Sequence, residues 1–445
     1  MQRRNFIKKT ALATASVLVA PYILPSGRLF AATGSRIANH VVYVLFAGGI
    51  RNQESVYKSY LSAQTGFSAS GNLMENMIAG APPSGSLLYN RWSPILTSPL
   101  SQQGVLFPEM EYKTGPTGHF NGHTVAITGN YTNTGLNLNI NPDMPTIFEY
   151  YRKHTTPTKS ALNSWWISEG LGPYPSLNYS RHADYGAMYG ANYLNPSTIF
   201  QSYGQQYLAA AKNYQPDDVN RMEAMKSFLN NSFHQSANAL PGIKNEFADK
   251  QQIKSFISNL ISKTQNNQIQ WPLPTSATTN DLSGDLTNLA YGWEVINTFK
   301  PELTVINTFN LDVCHSDFTG YLQFLHKADY GIGWLWNKIQ STPGLMNDTV
   351  LICMPEHGRN LQPNAIYDAN GLRAFDHTSD QNSRRMFGLM VGPSGKVKQN
   401  STFGSQTIPV GESIDMVPTI ANILGFYNDI PSGFLPGRIL TEAFI

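Results

Sequence analysis

The sequence predicts an α/β protein, a three-layer α/β/α sandwich with a mostly parallel central sheet. One observation is a pair of continuous apolar runs of strand length, HVVYVLFAGG at residues 40–49 and DTVLICMP at residues 348–355. Neither alternates with polar residues, which is how strands buried on both faces of a parallel sheet read. The other is the series ELTVINTFNLD (302–312), FTGYLQFLHKADYGIGWLWNKIQ (318–340) and DTVLICMP, which spells strand, helix, strand. Such a unit makes its two strands parallel and sets their C-terminal ends side by side. With 445 residues, 41% hydrophobic and 13% charged, 36 Gly and 27 Pro, the chain is neither disordered nor fibrous.

Residues 1–32 read as an export signal, with a basic head, a short apolar core and a small-residue exit. Arg3-Arg4-Asn5-Phe6-Ile7-Lys8 matches the twin-arginine pattern, which addresses proteins exported already folded. The apolar run falls short of the roughly 20 residues of a spanning helix, so no stable membrane span is expected after cleavage. The expected destination is the periplasm or the exterior. The signal holds five basic residues (Arg3, Arg4, Lys8, Lys9, Arg28) and no acidic one. Taking these from the 31 in the whole chain leaves 26 basic against 29 acidic residues, a net charge of −3. With no basic tract beyond the signal, nucleic acid is not an expected partner. Cys314 and Cys353 are the two cysteines, so disulfides do not build the fold, although one bridge fits an oxidising compartment.

Residues 33–445 form the remaining α/β domain. After the first strand a Gly/Asn/Pro-rich passage runs to about residue 143. PTIFEYYRKH (145–154) then has Pro at a helix start, and NSWWISEG (163–170) has the look of a short buried strand. An excursion over 171–207 carries Tyr174, Tyr179, Tyr185, Tyr189, Tyr193, Tyr203 and Tyr207, which suit either a recognition surface or a lid packed on the domain. Residues 216–266 read as amphipathic helices, so that 171–266 is an excursion with a helical insertion. RRMFGLMVGP (384–393) adds a strand and ESIDMVPTIANILG (412–425) a closing helix.

Reactive groups in open α/β sheets gather at the carboxyl ends of the strands. Here one strand runs into Asp312-Val313-Cys314-His315 and another into Glu356-His357-Gly358-Arg359; Asp376-His377 precedes the next strand, and GPTGHFNGHTVAITG contributes His119 and His123. Any one histidine could be a hydrogen-bonded loop residue. Three His-carboxylate pairs at strand ends point instead to a divalent metal, with zinc the best match and manganese or iron less so.

The order of these motifs, with an apolar strand closing in Gly-Gly, Thr-Gly after a His, Asp-x-x-His, His-Gly, Asp-His and a final DMVPTIANILG followed by LPGRIL, resembles the alkaline phosphatase superfamily, which includes sulfatases and phosphodiesterases. The resemblance runs from about residue 40 to the end and is densest from residue 301 on. It implies an alkaline-phosphatase-like fold and one or two metal ions acting on a phosphate or sulfate ester, of a small molecule or a glycan. Carried over, the first ion would take Asp312, His315 and His377, and the second Glu356 and His357, with Arg359, Arg384 or Arg385 holding ester oxygens.

Several positions depart from that pattern. Glu356 stands where an Asp is usual, Asp312-x-x-His315 is one residue short, and Gly48 replaces the Asp that closes the first strand, with Glu54 the nearest substitute. The nucleophile's position holds His119. Three explanations stay open: Thr117 or Thr124 acts through a shifted loop, His119 binds metal and water attacks, or hydrolysis is lost and the metal is structural. The resemblance thus implies an exported metal-dependent ester hydrolase, and alternatively a non-catalytic, metal-stabilised binding or assembly protein.

Overall fold

The computed structural model describes residues 34–61, 64, 71–85, 87–133, 141–155, 161–169, 177–196, 245–378 and 380–445. The export signal, Tyr174, Tyr203, Tyr207 and the expected helices before residue 245 lie outside them.

Eight strands form one sheet: β1 (His40–Phe46), β2 (Gly104–Glu111), β3 (Ser164–Ile167), β4 (Asn192–Leu194), β5 (Leu303–Asn307), β6 (Thr349–Pro355), β7 (Arg385–Val391) and β8 (Ser401–Thr402), in the order β4-β3-β5-β1-β6-β7-β2-β8. Every pairing is parallel except those of β7 with β6 and β2, so β7 alone runs against the rest. β5 and β6 are near neighbours with β1 between them, as the strand-helix-strand reading requires.

Alternation along β1 makes the three layers. Side chains of a strand point to opposite faces in turn. Val42, Val44 and Phe46 enter a core with α3 (Phe247–Gln265), α4 (Gly284–Phe299) and α5 (Phe318–Gln340). Val41, Tyr43 and Leu45 enter a second core with α1 (His119–Thr128), α2 (Ile147–His154) and α6 (Met416–Ile423). All six are buried, which is why the strand reads as an unbroken apolar run. The registers Leu45↔Asn307 and Phe46↔Pro355 bring the C-terminal ends of β5, β1 and β6 level. Gly48, Asp312 and Glu356 therefore leave the sheet at one place.

The described part of the Tyr-rich excursion packs on the domain. Tyr179, Tyr185 and Tyr193 are buried, and the Tyr185 ring lies 5.5 Å from Tyr150 and 6.1 Å from Phe434. Buried Glu149 on α2 holds it: its carboxylate accepts from Thr146 N (2.6 Å), Ser180 N (2.9 Å), Ser180 Oγ (2.7 Å) and Gly186 N (2.6 Å). Burial pushes this carboxyl up to about 7, against those donors, which pull it down. Glu149→Ala orphans four donors and is expected to cost about 2–3 kcal/mol. Urea unfolding reads the loss; an unchanged midpoint would show that the excursion is not held there.

Cys314 and Cys353 are both buried and free, and no bridge joins them. Among the described residues no helix is long and apolar enough to cross a membrane.

Candidate metal centre

At the aligned strand ends two ligand sets converge: His119, Asp312, His315 and His377, and His119, Glu356 and His357. Within each set the possible ligand atoms all lie within 4.8 Å of one another. Asp312 and His315 sit on one short 3-10 turn after β5, Asn310–His315, where a tight turn puts residues three apart on the same side. The short Asp-x-x-His spacing therefore suffices, and His315 Nε2 lies 3.2 Å from Asp312 Oδ1. Glu356 and His357 follow β6 directly, and both are buried.

α1 supplies His119 and, one turn later, His123. Gly122 between them lets the helix close on the end of β6, since a Cβ there would stand 2.8 Å from the Glu356 carbonyl oxygen. His119 Nδ1 is 2.7 Å from Glu356 Oε1 and its Nε2 is 3.1 Å from Asp312 Oδ1, so one ring touches both sets. His123 Nδ1 contacts the other oxygen of Glu356, and its Nε2 lies 2.6 Å from Asn307 Oδ1 at the end of β5.

Three of the histidines are turned the same way by partners that can only accept. His315 Nδ1 donates to Asp376 Oδ1 (2.6 Å), His357 Nδ1 to the Gly358 carbonyl (2.7 Å) and His377 Nδ1 to the Thr117 carbonyl (2.7 Å). Each donation fixes the tautomer and leaves Nε2 to ligate, the outer-shell arrangement usual for metal-binding histidines. The fit to a cation is tested by His357 Nε2. It is buried without a hydrogen bond, yet stands 3.2 Å from Glu356 Oε1, lone pair toward carboxylate. A cation satisfies both groups, and the imidazole and carboxylate donors suit zinc.

Charge follows the same geometry. Burial would lower the pKa of His119, but Glu356 and Asp312 outweigh it and hold the ring up at about 10. Burial would raise Glu356, yet His123, His119 and His357 keep it well below the usual carboxylate range. Burial, followed by the neighbouring His357 ring and the Arg359 guanidinium, keeps His377 well below its ordinary value. The His357 and His377 rings stack at 4.1 Å.

Other expected site residues are placed differently. Arg359 is fully buried and spends its guanidinium on the Phe375 carbonyl (2.7 Å), the Leu311 carbonyl (3.2 Å) and Asp312 Oδ1 (3.0 Å), so it braces the ligand loops and does not reach out to an ester. Arg384 donates to the carbonyls of Tyr112 and Gly115, and Arg385 pairs with Glu111 at 3.1 Å. The Thr117 hydroxyl donates to the His377 carbonyl at 2.5 Å. Thr124 lies on another face of α1, lining a cleft of about 330 Å³ with Asn130, Tyr131 and Asn141. Glu54 does not stand in for the missing acid, because both its oxygens are taken by buried Arg51 (2.7 and 2.9 Å). In place of an acidic side chain, Gly48 offers its N–H, which donates to Glu356 Oε1 at 2.6 Å.

Sequence reasoning named the Asp376-His377 pair without giving Asp376 a task; the structure gives it the tether of His315. It also did not foresee that Asn307 would contact His123 or that Gly122 would set the helix approach.

No family model matches the chain, and no curated protein matches it. Among solved structures, a 2-O GAG sulfatase matches at 9% identity over 91% of this chain and 73% of its own, with a TM-score of 0.43. The phosphonate monoester hydrolase of Agrobacterium radiobacter matches at 13% identity over 90% and 76%, with a TM-score of 0.44. A protein in the alkaline phosphatase superfamily from Vibrio parahaemolyticus matches at 12% identity over 99% and 79%, with a TM-score of 0.45.

Proposed function

We propose that this chain is an exported, divalent-metal-dependent hydrolase of phosphate or sulfate esters, with zinc as its ion. The observation that carries the reading is the common orientation of His315, His357 and His377, each tethered through Nδ1 with Nε2 free to ligate beside Asp312 and Glu356. Asp312, His315 and His377 would hold one ion, Glu356 and His357 another, with His119 between them. When bound, such ions polarise ester oxygens and lower the pKa of water toward about 7.

The chain's own residues set the rest. Asp312, His119 and His315 are half-exposed whereas Glu356 and His357 are buried, so an ester would approach from the Asp312 side. Neither Thr117, committed to the His377 carbonyl, nor Thr124, on another face, stands as a ready nucleophile, which favours water as the attacking group. The same observation supports the second reading, a metal-stabilised binding protein without hydrolysis. The twin-arginine pattern in residues 1–32 supports the export part of the proposal.

Purified protein is expected to carry zinc and to hydrolyse an aryl phosphate or aryl sulfate. Chelation should abolish the activity and zinc should restore it. His357→Ala is expected to lose zinc and to lower turnover at least about 100-fold, the scale on which weakened metal sites lose affinity or activity. Metal content without activity on either ester class would favour the binding protein; a phosphorylated Thr117 trapped during turnover would return the nucleophile to the chain.

A further inference from the structure

We infer that His119 is a bridging ligand, holding one ion on each nitrogen of a single ring. The inference rests on the metal-dependent reading above and deepens it. His119 belongs to both ligand sets, and its two nitrogens face different ones: Nδ1 lies 2.7 Å from Glu356 Oε1, in the set with His357, while Nε2 lies 3.1 Å from Asp312 Oδ1, in the set with His315 and His377. The other three histidines each give Nδ1 to an acceptor outside the ligand sets and keep only Nε2 to ligate. His119 has no such tether. Both its nitrogens point inward.

Surroundings keep the ring in this pose. It is the first residue of α1, and it stands 5.4 Å from the His357 ring and 4.7 Å from the His377 ring, which are stacked on each other beside it. Glu356 is fixed by Gly48 N at 2.6 Å and by contact with His123, and Asp312 by Arg359 at 3.0 Å, so neither carboxylate can swing to let the ring turn. An imidazole that ligates through both nitrogens does so as imidazolate, and its ring protons leave to solvent as the cations enter. Ions so held would stand at the two nitrogens of one ring. They would be farther apart than the roughly 3.5–4 Å of paired ions that clamp one ester between them.

The bridge has a spectroscopic signature that a merely structural His119 would lack. The full chain, stripped by a chelator, is loaded with Cu(II) alone; copper is determined chemically and spins are counted by low-temperature electron paramagnetic resonance. The wild type is expected to bind two coppers per chain with a spin count well below the copper, because imidazolate couples the two ions. In His119→Ala every copper that remains bound should be visible. If that variant fails to fold, His119→Asn keeps size and polarity with one ligating atom and is expected to behave alike. Two wild-type coppers with a full spin count, saturation at one copper, or coupling that survives either substitution would overturn the bridge. Zinc-dependent ester hydrolysis separates the levels: intact hydrolysis with uncoupled coppers removes the bridge alone, whereas a chain that binds no ion and hydrolyses neither ester removes the functional reading beneath it.

Discussion

Arg359→Ala is expected to destabilise the protein by about 3–5 kcal/mol, the scale on which removal of one partner of a buried ion pair is felt. The side chain is wholly inaccessible, and its guanidinium joins three stretches distant in sequence: Leu311 and Asp312 after β5, Phe375 before His377, and Gly49 after β1 through a longer contact of 3.4 Å. Removal leaves the Phe375 and Leu311 carbonyls unpaired and takes the counter-charge from Asp312, whose carboxyl is lowered by His119, His315 and Arg359 against the opposing effect of burial. Zinc affinity should therefore fall with stability. Arg359→Lys is expected to recover little of either, since an ammonium is a point charge and cannot span the fork of acceptors that a planar guanidinium serves. Urea unfolding and competition with a zinc chelator test both statements. A Lys variant with wild-type stability and affinity would show that only the charge matters and would end the bracing account.

That role for Arg359 was not legible in the sequence, and the reason is physical. Three of its four partners are main-chain oxygens, of Gly49, Leu311 and Phe375, and backbone atoms leave no trace in residue identity. A solvated arginine and a buried one are spelled alike. What could be read was whatever a short window contains: β1, β5, α5 and β6 as apolar runs and helical spacing, and the His-carboxylate pairs at their ends. The region before residue 143 hid β2 and α1. Pro108 lies in β2 at a shift of register between Phe107 and Met110, so the strand reads as punctuation. α1 is buried on nearly every side, so HFNGHTVAIT shows no polar stripe to mark a helix. α4 was missed for the same reason, being buried along most of its length. The placement of Glu54 failed for another reason. Proximity along the chain suggested a substitute ligand, whereas Arg51, three residues away, captures the carboxylate first.

Gly48→Asp, which would put an acidic residue where the pattern that the sequence resembles has one, at the end of the first strand, is expected to destroy the site. Gly48 has φ +91°, and a Cβ there would stand 2.2 Å from Asp312 N and 2.6 Å from the Leu311 carbonyl carbon. Both are main-chain atoms of the turn that presents Asp312 and His315, so no side chain can rotate to make room. The left-handed conformation adds its own cost for any residue with a Cβ. Together overpacking and backbone strain amount to about 2–5 kcal/mol. Because the conflict lies at the Cβ, Gly48→Ala should be nearly as damaging as Gly48→Asp, in both unfolding midpoint and zinc content. Gly371 provides the control: its φ is +77°, but a Cβ there meets nothing within 4 Å, so Gly371→Ala should cost only the conformational part, about 1–2 kcal/mol. A Gly48→Asp protein that kept its stability and gained zinc affinity would mean that the Asp312 turn can move aside. The close approach of β1 to that turn would then not be what excludes an acid from position 48.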